Sequence, residues 1–427
     1  MDTETADGQA TAQYLPLRKV AAVGIGNALE FYDFLTFSFF SIQIGHNFFP
    51  ASQTSHGLLF TLATFGVGFL TRPLGGFLIG RYGDRAGRKP AMMLSFSLMG
   101  FAILGLALTP SYARIGVAAP ILLLAFRLLQ GLALGGEVGP STAFLVEAAP
   151  PLRRGLYVAL QFATQDSAIL VAGIVGFVLS SLLPPAALDA WGWRLALLLG
   201  TAVVPLGLYM RNSLPETLAH ADSAAATPMD RQVSPLLVIL ALLMLGAGTI
   251  ANYALIYLTT YAQDSLRLAT NVAFAATIVN GAFAVFGDIT SGMLSDRVGR
   301  KPLMLSAMTL LILLLVPSFI AMEHFRSAVA LYAATALLTL LLSGAIGPAL
   351  VTITETLPKA VRSGALSVIY AVAIAVAGGS TQFMIKWLTD ATGNPLAPAW
   401  YVTAALVVGG VAMLIVAESA PVRTAPR

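Results

Sequence analysis

The ten residues GRYGDRAGRK at Gly80–Lys89 return as GMLSDRVGRK at Gly292–Lys301. Six identities keep their spacing across an offset of 212 residues in a chain of 427, so the repeat divides the molecule almost in half. A second echo agrees: GPSTAFLVEAAPPLRR (Gly139–Arg154) is matched at an offset of 208 by GPALVTITETLPKAVR (Gly347–Arg362). These segments are charged, whereas the chain as a whole is 57% hydrophobic and only 10% charged. A soluble domain carries about 25% charged residues. No soluble core can use so much apolar surface, so most of this chain must face lipid or other buried helices. The architecture to be explained is two parallel copies of one hydrophobic unit.

Composition excludes several chemistries. The absence of cysteine removes disulfides and thiolate-bound metals. The four histidines (His46, His56, His220 and His324) form no metal-ligand pair at helical spacing, so neither metal nor organic cofactor is expected. Residues 1–17 are polar, begin acidic and lack a basic segment ahead of an apolar stretch, which fits a short cytoplasmic tail rather than a cleaved signal.

Apolar runs long enough to cross about 30 Å of hydrocarbon fall near 18–49, 57–80, 90–110, 116–149, 151–183 and 191–211. Six more fall near 234–263, 268–294, 302–321, 327–357, 362–390 and 398–418. The expected fold is an all-α membrane protein of twelve transmembrane helices. Its parts are a tail (1–17), an N-terminal six-helix bundle (18–211), a polar linker (212–233), a C-terminal six-helix bundle (234–418) and a short tail (419–427). Seventeen Lys and Arg lie on the side shared by both termini, including Arg18, Lys19, Arg85, Arg88, Arg154, Arg297, Arg300 and Arg362. Only Arg114, Arg194, Arg267 and Arg326 lie on the other. Lys and Arg are retained inside, so both termini, the linker and the repeated loops are cytoplasmic. The basic loops are topology signals, and no nucleic-acid partner is expected.

Two six-helix halves, each with G-x-x-x-D-R-x-G-R-K between its second and third spans, resemble the major facilitator superfamily. Finer features resemble its metabolite–proton symporter family: GNALEFYDF (Gly26–Phe34), TRPLGG (Thr71–Gly76), FRLLQGLALGGEVG (Phe126–Gly139), WGWR (Trp191–Arg194), RNSLPET (Arg211–Thr217) and ATGNPLAPAWY (Ala391–Tyr401). The similarity is strongest to the citrate and tricarballylate branch, from which the chain departs at Asp166, Asp288 and Pro140. The resemblance implies alternating access, a central site between the halves and proton-coupled uptake of a small carboxylate. Ketoglutarate, dicarboxylates, shikimate and zwitterions such as betaine or proline are the alternatives, with efflux a more distant one. It also implies a bacterial-type inner-membrane location and a monomer.

A charge at the bilayer centre costs about 2.5–3.5 kcal/mol on insertion scales, so charged residues inside spans mark candidate sites. In the first span Asn27, Glu30 and Asp33 share a sector of about 120°. In the fourth, Arg127, Gln130, Leu134, Glu137 and Ser141 lie within about 80° of one another. Counted from their opposite ends, Asp33 and Arg127 fall at comparable depth. They are expected to form a protonation-sensitive pair that frees Arg127 for an anionic substrate, or else a fixed salt bridge. Glu30 and Glu137 are competing proton sites. Further substrate candidates are Arg72, the fifth-span donors Gln161, Gln165 and Asp166, the row Asn252, Tyr253 and Tyr257, and Gln382 with Lys386. Bland roles compete with each: helix packing for Arg72, aromatic packing for the tyrosines and snorkelling to the interface for Lys386.

The repeated motifs supply a candidate cytoplasmic gate: Gly80, Asp84, Arg85, Gly87, Arg88, Glu147 and Arg154 in one half, Asp296, Arg297, Gly299, Arg300, Glu355 and Arg362 in the other. Glu and Arg recur seven residues apart in both halves, a spacing that resembles the superfamily's charge-relay network. There is no P-loop, so nucleotide does not drive transport. Each entering proton gains about 2.3 kcal/mol per 100 mV and about 1.4 kcal/mol per unit of pH difference. A trivalent anion would need several protons to enter against an inside-negative potential. An enzyme would need a convergent His, Ser or metal constellation, and none is visible.

Overall fold

A computed structural model describes residues 28, 31, 32, 34–50, 56–86, 88–134, 142, 145–147, 149–201, 233–359 and 361–424. All regular structure among them is helical. In chain order the principal helices are α1 (Ser41–Phe48), α2 (Gly57–Leu70), α3 (Arg72–Ala86), α4 (Arg88–Leu108), α5 (Ala118–Leu134) and α6 (Arg154–Leu182). They continue with α7 (Pro235–Asp264), α8 (Thr270–Val298), α9 (Arg300–Phe325), α10 (Ala328–Thr356), α11 (Arg362–Ala373), α12 (Gly379–Thr392) and α13 (Ala397–Ile415). Eight helical stretches among the described residues are long and apolar enough to cross a membrane, and Met93–Leu108 and Ala118–Leu134 are shorter apolar helices. The expected spans near 18–49 and 191–211 run into residues outside the described set.

Local chemistry sets the helix ends. Proline at N1 opens α7, where its missing N–H and fixed φ cost nothing. The Ser327 side chain accepts the Ala330 N–H at 3.3 Å to start α10. Gly299, at φ 113°, separates α8 from α9. The second predicted span is broken into α2 and α3 at Thr71, because Pro73 has no N–H to donate and its ring crowds the carbonyl four residues back. The Thr71 hydroxyl, freed at the break, donates to the Leu128 carbonyl of α5 at 2.7 Å. A π-helical turn over Ile374–Gly378 joins α11 to α12.

Packing inverts the soluble pattern. Large apolar side chains such as Leu182, Val329, Leu313 and Phe101 point outward, while Arg127, Gln130, Arg300 and Gln382 are wholly or almost wholly buried. Such a surface suits lipid. The end of the bundle carrying Arg154, Arg300 and Arg362 is called the basic end here and the opposite one the far end. α6 runs alongside α8 from Gly155 against Gly292 to Gly176 against Phe274. Small residues permit this approach: a Cβ at Gly173 would sit 2.8 Å from the Ile278 nitrogen. Between Arg72 and the far end, Gly66 of α2 meets Gly379 of α12 backbone to backbone.

Candidate functional site: a cavity between the halves

A cavity of about 110 Å³ lies where helices from both repeats converge. Arg72 of α3 and Gln165 and Asp166 of α6 face it from the first repeat. Asn252 and Tyr253 of α7, Asn280 and Asp288 of α8, Thr339 and Ser343 of α10 and Tyr370 of α11 face it from the second. The rest of the wall is mainly apolar, including Phe31, Leu35, Phe162, Ile256 and Ile346.

Arg72 is the cation among the described wall residues. Its guanidinium lies 4.4 Å from the Phe34 ring centroid and 4.3 Å from that of Phe69, and it bonds the Tyr253 hydroxyl. Tyr253 in turn stands edge-on to Phe69, centroids 5.2 Å apart. Aromatic faces hold a guanidinium without neutralising it, so Arg72 keeps its charge toward the cavity. On the opposite wall the Asp166 and Asp288 carboxyl groups meet. Thr339 donates to Asn280 Oδ1 at 2.8 Å, tying α10 to α8. Gln165 Nε2 and Asp288 Oδ2 are buried without a hydrogen-bond partner among the described residues.

The structure places several of the sequence-based candidates away from the cavity wall. Arg127 is fully buried behind the wall: its Nη1 donates to Gln130 Oε1 at 2.7 Å and its Nη2 to the Phe65 carbonyl at 3.3 Å. Phe34, Phe37 and Phe65 surround it at 4.4, 4.4 and 5.0 Å. Gln130 is thereby committed to Arg127. Gln161 Oε1 accepts from Thr142 at 3.0 Å, and Gln382 Oε1 accepts from Ser38 at 2.9 Å. Tyr257 is packed in the apolar core. Lys386 is held by Asp264 and Asp390, each at 2.9 Å. None of these six residues lines the cavity. Arg72, Gln165, Asp166, Asn252 and Tyr253 do. Asn27, Glu30, Asp33, Gly87 and Glu137 lie outside the described residues, as do the side chains of Asp84, Arg85 and Arg88. Gly80 lies within α3.

At the basic end the repeated acids and arginines exchange partners between copies. Arg362 Nη1 pairs with Glu147 at 3.0 Å, and Arg154 Nη1 with Glu355 at 3.5 Å. Each Glu…Arg motif thus binds the other repeat's motif. Asp296 accepts the Gly155 and Leu156 N–H groups at 2.9 and 3.0 Å, capping α6 from the other half, and takes Arg300 Nη1 at 2.6 Å. A carboxylate at an exposed helix N-terminus meets both its unpaired donors and its dipole. Arg300, itself fully buried, also reaches Glu355 at 3.6 Å. Glu418 caps α9 in the same manner, accepting from the Arg300 and Lys301 N–H groups at 3.0 Å each. Arg297 closes α8, ahead of Gly299.

Sequence reasoning missed Asn280, Thr339, Ser343 and Tyr370 on the wall. Their signal was helical spacing: Asn280 and Asp288 are eight residues apart, and Thr339 and Ser343 four apart, within otherwise apolar runs.

An apolar-surfaced helical bundle enclosing a polar cavity between two sequence repeats defines an integral, multi-pass membrane protein of the transporter type. The chain belongs to the Major Facilitator Superfamily, whose family model matches residues 23–381. It is 34% identical over 410 residues to a citrate-proton symporter of Klebsiella pneumoniae, covering 94% of this chain and 91% of that one. It is 35% identical over 418 residues to the alpha-ketoglutarate permease of Escherichia coli, covering 95% of each. It is 31% identical over 425 residues to a glycine betaine/proline/ectoine/pipecolic acid transporter of Dickeya dadantii, covering 95% of this chain and 84% of that one. Among solved structures, a D-xylose-proton symporter superposes with a TM-score of 0.78 at 17% identity, over 94% of this chain and 98% of that chain. That likeness concerns the fold.

Proposed function

We propose that this chain is a proton-coupled symporter that takes up a small organic acid by alternating access, with citrate or tricarballylate favoured and ketoglutarate next. The observation that carries this reading is the cavity between the repeats, where the Arg72 guanidinium is offered together with amide and hydroxyl groups. A guanidinium fork suits a carboxylate, and the permeases for citrate and ketoglutarate among the relatives support the class. The facing acids favour a second reading. A zwitterion could set its carboxylate on Arg72 and its cationic end toward Asp166 and Asp288, as the betaine and proline relative suggests.

In this proposal twelve helices cross the inner membrane as two bundles (18–211 and 234–418), the protein is a monomer and the basic end with both termini is cytoplasmic. The exchanged pairs at that end close the cytoplasmic gate. Asp33, with Glu30 and Glu137 as competitors, takes the coupling proton near Arg127. Purified protein in vesicles, under an imposed pH gradient, is expected to accumulate labelled citrate, tricarballylate or ketoglutarate. Thermal shifts at about pH 5.5 and 7.5 rank the ligands. Stabilisation by betaine alone would overturn the carboxylate reading. Asp33→Asn is expected to abolish accumulation and leave counterflow intact.

A further inference from the structure

Asp166 and Asp288 stand on different repeats, on the two helices that lie side by side along most of their length. We propose that these two carboxyl groups form a second proton-carrying site: one proton held between them joins α6 to α8, and its loss drives the helices apart. The proposal rests on the symport reading above for its purpose, though not for its geometry.

Two observations converge on a ligand here. The first is the meeting of the carboxyl groups themselves. A carboxylate only accepts hydrogen bonds, so two ionised groups repel; one added proton turns the contact into an O–H···O bond. The second is independent. Gln165, beside Asp166 on α6 and about 95% buried, keeps Nε2 without an acceptor while it lines the same cavity. Asp288, equally buried, leaves Oδ2 without a donor. Among the described residues, the charged and titratable groups facing the pair are Arg72 of α3, Tyr253 of α7 and Tyr370 of α11, while α10 presents Ser343 and Thr339. Arg72 is already engaged by two aromatic rings and by Tyr253.

The step balances simply. A proton from the solution bathing the far end binds one carboxylate and is shared with the other. It is released to the basic end when that end opens, and no other bond forms or breaks. Direction follows from the ends of the two helices. Toward the basic end, α6 is fastened to the second repeat by the Asp296 cap and the Arg154–Glu355 pair. Toward the far end, α6 and α8 approach closely at Gly173 and Gly176, the latter against the Phe274 ring. Repulsion between two ionised carboxylates therefore opens the far end, and protonation closes it.

The chain has no cysteine, so spin labels can be placed at Leu182→Cys and Ala269→Cys, both exposed at the far end. The label distance in the purified full chain is expected to lengthen as pH rises from about 5.5 to 8.5. Asp166→Asn with Asp288→Asn should hold the short distance at every pH. In vesicles the proton-to-substrate ratio of the double variant should fall by one. An unchanged pH response in the double variant, a wild-type distance insensitive to pH, or a distance governed by Na⁺ instead of H⁺ would each overturn the proposal. Each single Asn variant, read by its melting temperature and its pH-dependent label distance, guards against misfolding of the double. Should wild-type vesicles fail to accumulate any of the acids while the distance still follows pH, the proton site stands and the symport reading falls.

Discussion

Replacing Glu355 by Gln tests whether the exchanged ion pairs hold the basic end closed. The Glu355 side chain is 4% exposed and lies 3.5 Å from Arg154 and 3.6 Å from Arg300, with the Ser419 hydroxyl donating at 2.6 Å. Removing one partner of a buried pair costs about 3–5 kcal/mol. Three features reduce that figure. Both charge contacts are long, the Arg154 side chain is 28% exposed, and Arg300 keeps Asp296 at 2.6 Å. Glutamine also still accepts from Ser419. Only the Arg154 contact crosses between repeats, the Arg300 contact lying within the second, so about 1 kcal/mol is lost from the closed state alone. At about 1.4 kcal/mol per tenfold, the population open at the basic end should rise roughly 5-fold. Spin labels at Leu152→Cys and Lys359→Cys, both exposed at this end, report the opening as growth of a long-distance component. A lowered melting temperature with an unchanged distance distribution would refute the argument, since Glu355 would then be a stabilising residue and no part of a gate.

Four other outcomes follow from the geometry. Arg72→Lys keeps a charge but loses the fork and the stacking on Phe34 and Phe69; a lost charge-assisted hydrogen bond of about 1.5–3 kcal/mol weakens apparent substrate affinity about 10- to 150-fold, read by titration calorimetry. Lys386→Ala leaves affinity unchanged within about twofold, because the ammonium is spoken for by Asp264 and Asp390; a tenfold loss would restore it to the site. Gly66→Leu places a side chain against the Gly379 carbonyl, so the far end should stay open, with ligand binding retained and vesicle uptake lost. Arg127→Met removes a buried charge from among three aromatic rings yet keeps the packing, so the melting temperature should hold while accumulation fails.

The fold was largely legible because a membrane imposes a simple grammar. Apolar runs of sufficient length must become helices, and the decapeptide copies betray the two-fold design. The break at Thr71 was also foreshadowed, by Arg72-Pro73. Side-chain direction was less legible. Arg127 satisfies every rule for a cavity residue by depth and helical face, but Phe34, Phe37 and Phe65 wall it off, and no pattern within one helix reveals rings supplied by two others. The partners of Lys386, Asp264 and Asp390, sit at helix ends, where acids attract no notice. The ion pairs at the basic end were half legible. The seven-residue Glu…Arg spacing marked the participants, whereas their exchange between repeats is a tertiary fact with no local signature.

That exchange has an energetic logic. Alternating access requires two states within a few kcal/mol of each other, since a ligand can shift an equilibrium only by its differential affinity. A proton crossing 100 mV supplies only about 2.3 kcal/mol. Pairs such as Arg362–Glu147, with the glutamate side chain 49% exposed, contribute about 0–1 kcal/mol each, a size that a proton or a bound substrate can overcome. A tightly buried bridge in the same place would lock the molecule. Arg300, fully buried, takes its shortest ion pair from Asp296 of its own repeat, at 2.6 Å, and reaches only Glu355, also of its own repeat, at 3.6 Å. The shortest ion pair therefore lies within one repeat, while the ion pairs that cross between repeats are half-exposed or long, so beside the Asp296 cap the moving interface is held by weak pairs.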